Sequence, residues 1–194
     1  MVFSFLRRLL SPSSAAQHAP LSPSEQLYQS CLEHSRQPDL YSRFDVSDSL
    51  DGRFDSLCLS LSLVMHRLAS VDESDLPLAK QLNQNMFDSF CADMDLSVRE
   101  MGVGDLGVAK RVKKMSEALL GRLSSYSAAL DDRRKDALAE ALSRNLYRQD
   151  SLHKHSDELA AAVLDASDRL AKISDELVLN GGLMIPAIIL SQDS

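Results

Sequence analysis

Asp93-Met-Asp-Leu-Ser-Val-Arg-Glu-Met-Gly-Val-Gly-Asp-Leu-Gly-Val-Ala-Lys-Arg-Val-Lys-Lys-Met115 reads as the acidic end of one helix, a glycine turn and the basic start of the next. Upstream, Leu82, Met86, Phe87, Phe90, Cys91, Met94, Val98 and Met101 recur at helical spacing over about half a circumference. A helix from about Pro77 to Met101 with so broad an apolar arc must touch at least two neighbours. Pro77 suits its first turn, where a missing N–H costs nothing. Downstream, Val108, Val112, Met115, Leu119, Leu123 and Tyr126 form a narrower stripe, with Lys110, Lys113, Lys114 and Glu117 opposite and Arg111 and Arg122 flanking. Two amphipathic helices joined by a tight turn make an all-α domain the expectation.

The turn residues have assignable tasks. Gly102 and Gly104 permit the positive backbone angles of a sharp helix exit, and Asp105 can cap the next helix by accepting from its free N–H groups. Asp93 and Glu100 lie seven residues apart on the edge of the apolar arc, where carboxylates are expected to find Lys or Arg of the following helix. Asp95 falls on the solvent side. A charged outer face is the default for any surface helix, so Lys110, Arg111, Lys113 and Lys114 do not by themselves establish a binding site.

The rest of the chain follows the same pattern. A first helix is expected from Ser24, with Leu27 three residues on giving half a capping signal, and ends by Pro38. Phe54, Leu57, Cys58, Leu61, Val64, Met65 and Leu68 form one face of a second helix, and Leu59 and Leu63 cover the other. Such a helix belongs between others. The alternation Leu57-Cys-Leu-Ser-Leu-Ser-Leu63 also fits a strand, but the helical pattern continues smoothly to Leu68. Asp131 or Asp132 can cap a fifth helix through Leu138, Leu142 and Leu146. A longer sixth carries Leu159, Val163, Ala166, Leu170, Ile173 and Leu177 in a coiled-coil-like seam that Asn180-Gly-Gly182 ends. The tail Leu183-Met-Ile-Pro-Ala-Ile-Ile-Leu190 carries too many large apolar side chains for a free end, so it should fold into a groove or be covered by a partner.

At 194 residues the chain forms a single compact domain of about six helices: a flexible leader over 1–24, a helical body over 25–182 and the apolar tail over 183–194. The net charge of -7 argues against nucleic-acid binding, and no specific DNA binding is expected. Cys31, Cys58 and Cys91 show no metal or redox spacing and read as small buried hydrophobes. His153 and His155 stand two apart, on different helix faces, unsuited to share a metal. No run approaches the roughly twenty apolar residues of a membrane span. The leader holds six Ser and two Arg but no acid, the composition of a mitochondrial transit peptide though short for one, and otherwise reads either as a frayed leader or as an interfacial anchor through Phe3, Phe5, Leu6, Leu9 and Leu10.

Together with Phe44-Asp-Val-Ser-Asp-Ser-Leu-Asp-Gly-Arg-Phe-Asp55, the opening stretch closely resembles the ubiquinol-cytochrome c chaperone family, relatives of mitochondrial factors that assemble the respiratory bc1 complex. The resemblance runs from about Tyr41 to Gly121, and Gly107 departs from it where relatives more often carry Ser. It implies a helical assembly chaperone whose client is the membrane-embedded cytochrome b, held until haem and partner subunits arrive. It also implies that Asp93, Glu100, Gly102, Gly104, Asp105, Lys110, Arg111, Lys113 and Lys114 face a partner. A small partner protein, a ribosome or an anionic membrane surface are further partners to expect. The rival reading is a membrane- or ribosome-surface adaptor with a different client. An enzyme is not expected, because no phosphate loop, nucleophile motif, metal constellation or dinucleotide fingerprint occurs, and no cofactor is called for. A bacterial cytoplasmic protein, at most peripheral to the inner membrane, fits best; in a eukaryote the place would be the mitochondrial matrix.

Overall fold

Leu50–Ala69 is the helix on which the other long elements assemble, and every side chain from Phe54 to Met65 on it is buried. The computed structural model describes residues 20–188; most of the leader, and Ile189 and Leu190 of the tail, lie outside them. Among the described residues there are eight helices in one domain: α1 Pro23–His34, α2 Pro38–Ser42, α3 Leu50–Ala69, α4 Leu76–Glu100, α5 Asp105–Asp131, α6 Lys135–Asn145, α7 Ser156–Ala171 and α8 Asp175–Leu179. The central helix α3 packs against α1, α4, α5 and α7.

The strand-like alternation of residues 57–63 is resolved by hydrogen bonding inside α3. Ser60 and Ser62 donate to the carbonyls of Ser56 and Cys58 at 3.0 and 2.8 Å, so polar side chains are satisfied one turn back while buried. Small hydroxyl residues between leucines leave room for helices on every side. On α4, Leu82, Met86, Phe90, Met94 and Val98 are buried, and the helix touches α1, α3 and α5, as its broad arc requires.

Several expected boundaries move. Helix α1 is capped by Ser22 rather than Ser24: Ser22 accepts from the Glu25 N–H, and Glu25 accepts from the Ser22 N–H at 2.8 Å, a full capping box. The cap of α5 is Gly104, and Asp105 is its first residue. Asp131 closes α5 and pairs with His66 at 2.9 Å, while α6 is entered through Arg133, at φ 52°, and its N-cap Arg134. The long sixth helix is broken: α7 ends at Ala171, and Ser174 caps α8 by accepting from Leu177 N. Arg67 of α3 holds the break, donating to the carbonyls of Leu170 and Ile173 at 3.1 and 2.6 Å and to the Asp175 carboxylate. The seam therefore packs inside the bundle through Leu170, while Leu177 is exposed. His153 and His155 precede α7 instead of lying on a helix, and the His153 ring stacks on Tyr147 at 3.7 Å.

Beyond α8 the chain runs back along α1. Leu183 and Ile188 are buried. The Ser30 hydroxyl donates to Leu183 O at 2.8 Å, Ile188 N donates to the Gln37 side chain at 3.0 Å, and Arg169 donates to Ala187 O at 2.6 Å. His34 adds a buried tie, with Nδ1 at 2.8 Å from Ser60 Oγ and Nε2 at 3.2 Å from Pro186 O. Burial lowers the His34 pKa to about 4, so at neutral pH the ring is uncharged, with Nε2–H donating to Pro186 O and the single Ser60 hydroxyl proton shared between Nδ1 and the Ser56 carbonyl.

Candidate functional site

The α4–α5 turn is built by one residue with positive φ and one arginine. Gly102 has φ 78°, a conformation that a Cβ makes costly, whereas Gly104 at φ -65° and ψ 155° is extended and open to any residue. Arg99, on the last turn of α4, donates to Asp95 from Nε and to Asp105 from Nη1, both at 2.5 Å, so one guanidinium ties the end of α4 to the start of α5. Asp105 thus stabilises the turn through Arg99 and not through a side-chain cap. Asp93 and Glu100 are half-buried on α4.

On α5, Lys110, Arg111, Lys113 and Lys114 are all exposed, opposite the stripe that buries Val108 and Leu119. Lys113 pairs with Glu117 of its own helix at 3.8 Å, a contact of little energy at so exposed a position. Leu106, in the first turn of α5, is 97% exposed, with Met101 and Leu96 also exposed nearby. The turn therefore combines cations, exposed apolar groups and a rigid frame. By contrast Met86 and Met94 are core residues and not part of any open face.

A second polar centre escaped the sequence reading. Asp55 of α3, fully buried, receives Arg122 Nη2 from α5 at 2.6 Å and Arg148 Nε from the α6–α7 connection at 2.8 Å. Arg122 also donates to the carbonyls of Ala118 and Asn145 and lies over the Phe54 ring at 5.5 Å, so it turns inward rather than flanking the stripe in solvent. Arg148 reaches Asp51 as well, at 2.6 Å. Burial holds the Asp55 carboxyl above its usual range, although Arg148 and Arg122 pull against that rise. One sequence signal could have found it: an acid set within the apolar stretch of a helix covered on all sides must be paired.

Beside this centre an open cavity of about 380 Å³ is lined by Asp45, Ser47, Ser49, Asp51 and Gly52 on one wall and by Leu146 to Gln149 and His153 on the other. Its walls are tightly determined. Asp45 and Arg148 both adopt positive φ, 59° and 56°, and a Cβ on Gly52 would stand 1.9 Å from Ser47 O. Its charges are matched in pairs, Asp45 with Lys154 at 3.1 Å and Asp51 with Arg148 at 2.6 Å. Among the described residues no group of three or more His, Cys, Asp or Glu could hold a metal ion. The buried Cys31 and Cys58 thiols have pKa values raised by burial, so they remain protonated.

Residues 42–185 match the ubiquinol-cytochrome C chaperone family. The chain belongs to that family. Among solved structures, a Cbp3 homolog from Brucella abortus is 35% identical with a TM-score of 0.74, over 86% of this chain and 90% of that one. Among curated proteins no sequence matches. Among its described residues this chaperone-family chain has helices as its regular elements and no strand, and no helix there is long and apolar enough to cross a membrane. Family membership implies a role in holding a protein client rather than in turnover. Both segments that carried the sequence resemblance take part in the framework: residues 44–55 form one cavity wall and place Asp55, and residues 93–115 form the α4–α5 turn.

Proposed function

We propose that this chain is an assembly chaperone of the respiratory bc1 complex, binding cytochrome b, nascent or newly inserted, before haem insertion and subunit assembly. The family match over residues 42–185 carries the reading. The surface we assign to the partner is the α4–α5 turn, with Lys110, Arg111, Lys113 and Lys114 as its contact charges. Gly102, Arg99 and Asp105 set its shape, Gly104 leaves it open, and Asp93 and Glu100 border it on α4. Holding a client needs an exposed surface with both apolar and charged character and no reacting group, and this turn offers both.

The test is the content of bc1 complex in membranes of a strain lacking this gene, read from the reduced-minus-oxidised spectrum of cytochrome b. Loss of cytochrome b with the other membrane cytochromes retained, restored by the wild-type gene, is the expected result. Unchanged cytochrome b in the deletion strain would reject the assignment and leave the adaptor reading, in which the same face serves another client. The exposed Leu106 beside cations is the observation that favours that second reading.

A further inference from the structure

The α4–α5 turn combines features that a solvated helix face does not require. Leu106 is 97% exposed, Leu96 47% and Met101 39%, so three large apolar side chains are open between the last turns of α4 and the first turn of α5. A single exposed leucine is ordinary, but three open apolar side chains along one helix–turn–helix segment are more than solubility calls for. Leu106, Lys110, Lys113 and Lys114 follow at i, i+4, i+7 and i+8, which places them on one face of α5. At 1.5 Å per residue the lysines stand roughly 6 to 12 Å from Leu106 along the axis. That separation is close to the thickness of a lipid headgroup layer, roughly 5 to 8 Å on each side of the hydrocarbon.

The remaining features agree. A Cβ on either Gly102 or Gly104 would meet nothing within 4 Å, so the tip is open on its outer side. The acids nearest the tip are engaged: Asp95 and Asp105 are both held by Arg99 at 2.5 Å, and Glu117 faces Lys113 at 3.8 Å, while Asp93 and Glu100 are half-buried. The whole chain carries a net charge of -7, so an anionic surface repels most of the molecule and admits it by a basic end. Nucleic-acid phosphates would engage the lysines equally but would offer nothing to Leu106 and Met101.

We propose that the α4–α5 turn is a foot that seats the protein on an anionic phospholipid surface, Leu106 entering the headgroup–acyl boundary while Lys110, Lys113 and Lys114 meet lipid phosphates. The inference rests on the reading of this turn as the partner-facing surface and names one of its partners. It gives a chain whose described residues hold no membrane-spanning helix a way to wait where a membrane-embedded client emerges.

The chain contains no tryptophan, so Leu106→Trp in the full-length protein supplies a single reporter at an exposed position. Mixed with vesicles of phosphatidylcholine and phosphatidylglycerol, this variant is expected to shift its emission to the blue and to be quenched by lipids brominated on the acyl chain. Vesicles of phosphatidylcholine alone should produce neither effect. In sedimentation with the anionic vesicles, joint Lys110→Gln, Lys113→Gln and Lys114→Gln should lower the partition coefficient about 100-fold, at roughly fivefold per lysine. Leu106→Gln should lower it about tenfold, the worth of one partly buried apolar side chain. All four side chains are exposed, so each variant should keep wild-type helicity. An emission unchanged by anionic vesicles, partition equal to wild type in the variants, or a response to RNA but not to lipid would overturn the foot. Failure here with cytochrome b lost in the deletion strain would leave the chaperone assignment standing, and the reverse pair of results would remove the chaperone assignment alone.

Discussion

Two arginine–carboxylate networks occupy opposite roles in this molecule although their chemistry is the same. Around Asp55, Arg122 and Arg148 close at 2.6 and 2.8 Å with the carboxylate wholly out of solvent. Around Arg99, Asp95 and Asp105 close at 2.5 Å with all three side chains substantially exposed. Distance alone does not rank them. In water each surface contact is worth at most about 1 kcal/mol, because the partners lose little by solvating separately. In the core, removing one partner strands a charge that water cannot reach, at a cost of about 3 to 5 kcal/mol. The buried network joins α3, α5 and the α6–α7 connection into one body; the exposed one shapes a turn that a partner can reach.

The sharpest way to break this contrast is to cut both networks. Asp55→Ala should destabilise the domain by about 3 to 5 kcal/mol in urea unfolding, leaving Arg122 buried without its counter-charge. Equal midpoints for Asp55→Ala and wild type would mean that water replaces the carboxylate freely and that burial does not rank the two networks.

An uncharged buried tie extends the comparison to pH. His34 titrates near the usual 6.5 when unfolded and at about 4 when folded, because burial disfavours the imidazolium. Below pH 6.5 the unfolded chain binds the proton first, so stability is full above 6.5 and falls as pH drops towards 4. The loss amounts to about 3 kcal/mol at about 1.4 kcal/mol per unit. His153 shifts in the same direction through burial and adds to the same window. His34→Gln should reduce this slope in urea titrations between pH 6.5 and 4, leaving the part due to carboxylates such as Asp168 and Asp175, whose pKa values are lowered by Arg133 and Arg67; an unchanged slope would assign the acid sensitivity elsewhere.

Within the turn, smaller effects separate shape from charge. Gly102→Val should cost about 1 to 3 kcal/mol because φ 78° is strained for a branched residue, while Gly104→Val should change thermal unfolding by only about 0.5 kcal/mol. Asp105→Ala, which removes one exposed bond to Arg99, should cost less than about 1 kcal/mol and should lose even that at high salt. A large cost for Asp105→Ala would place the turn in the stability core and erase the distinction drawn from the two networks.

The helices were legible because the apolar positions of α3, α4, α5 and α7 repeat at helical spacing, and burial follows them closely. Boundaries were less so. Ser22 and Glu25 form a capping box that a reading anchored on Ser24 passes over, and the α7–α8 break depends on Arg67, more than a hundred positions away, gathering the Leu170 and Ile173 carbonyls. The exposed lysines of α5 were visible as the polar side of an amphipathic pattern. The pattern of α3 marks Asp55 as an acid that needs a partner, but not which one, since Arg122 and Arg148 come from distant segments. Leu106 was hidden for the opposite reason: a leucine in a helical first turn is assumed buried, and only the fold shows that nothing covers it.

The most direct measurement is the cytochrome b spectrum in membranes of the deletion strain carrying either the wild-type gene or the variant with Lys110→Glu, Lys113→Glu and Lys114→Glu. The expected result is cytochrome b restored by the wild type and lost with the triple variant, although the variant accumulates and melts as the wild type does. Full cytochrome b in cells whose chain carries all three glutamates would contradict a partner-facing α4–α5 turn.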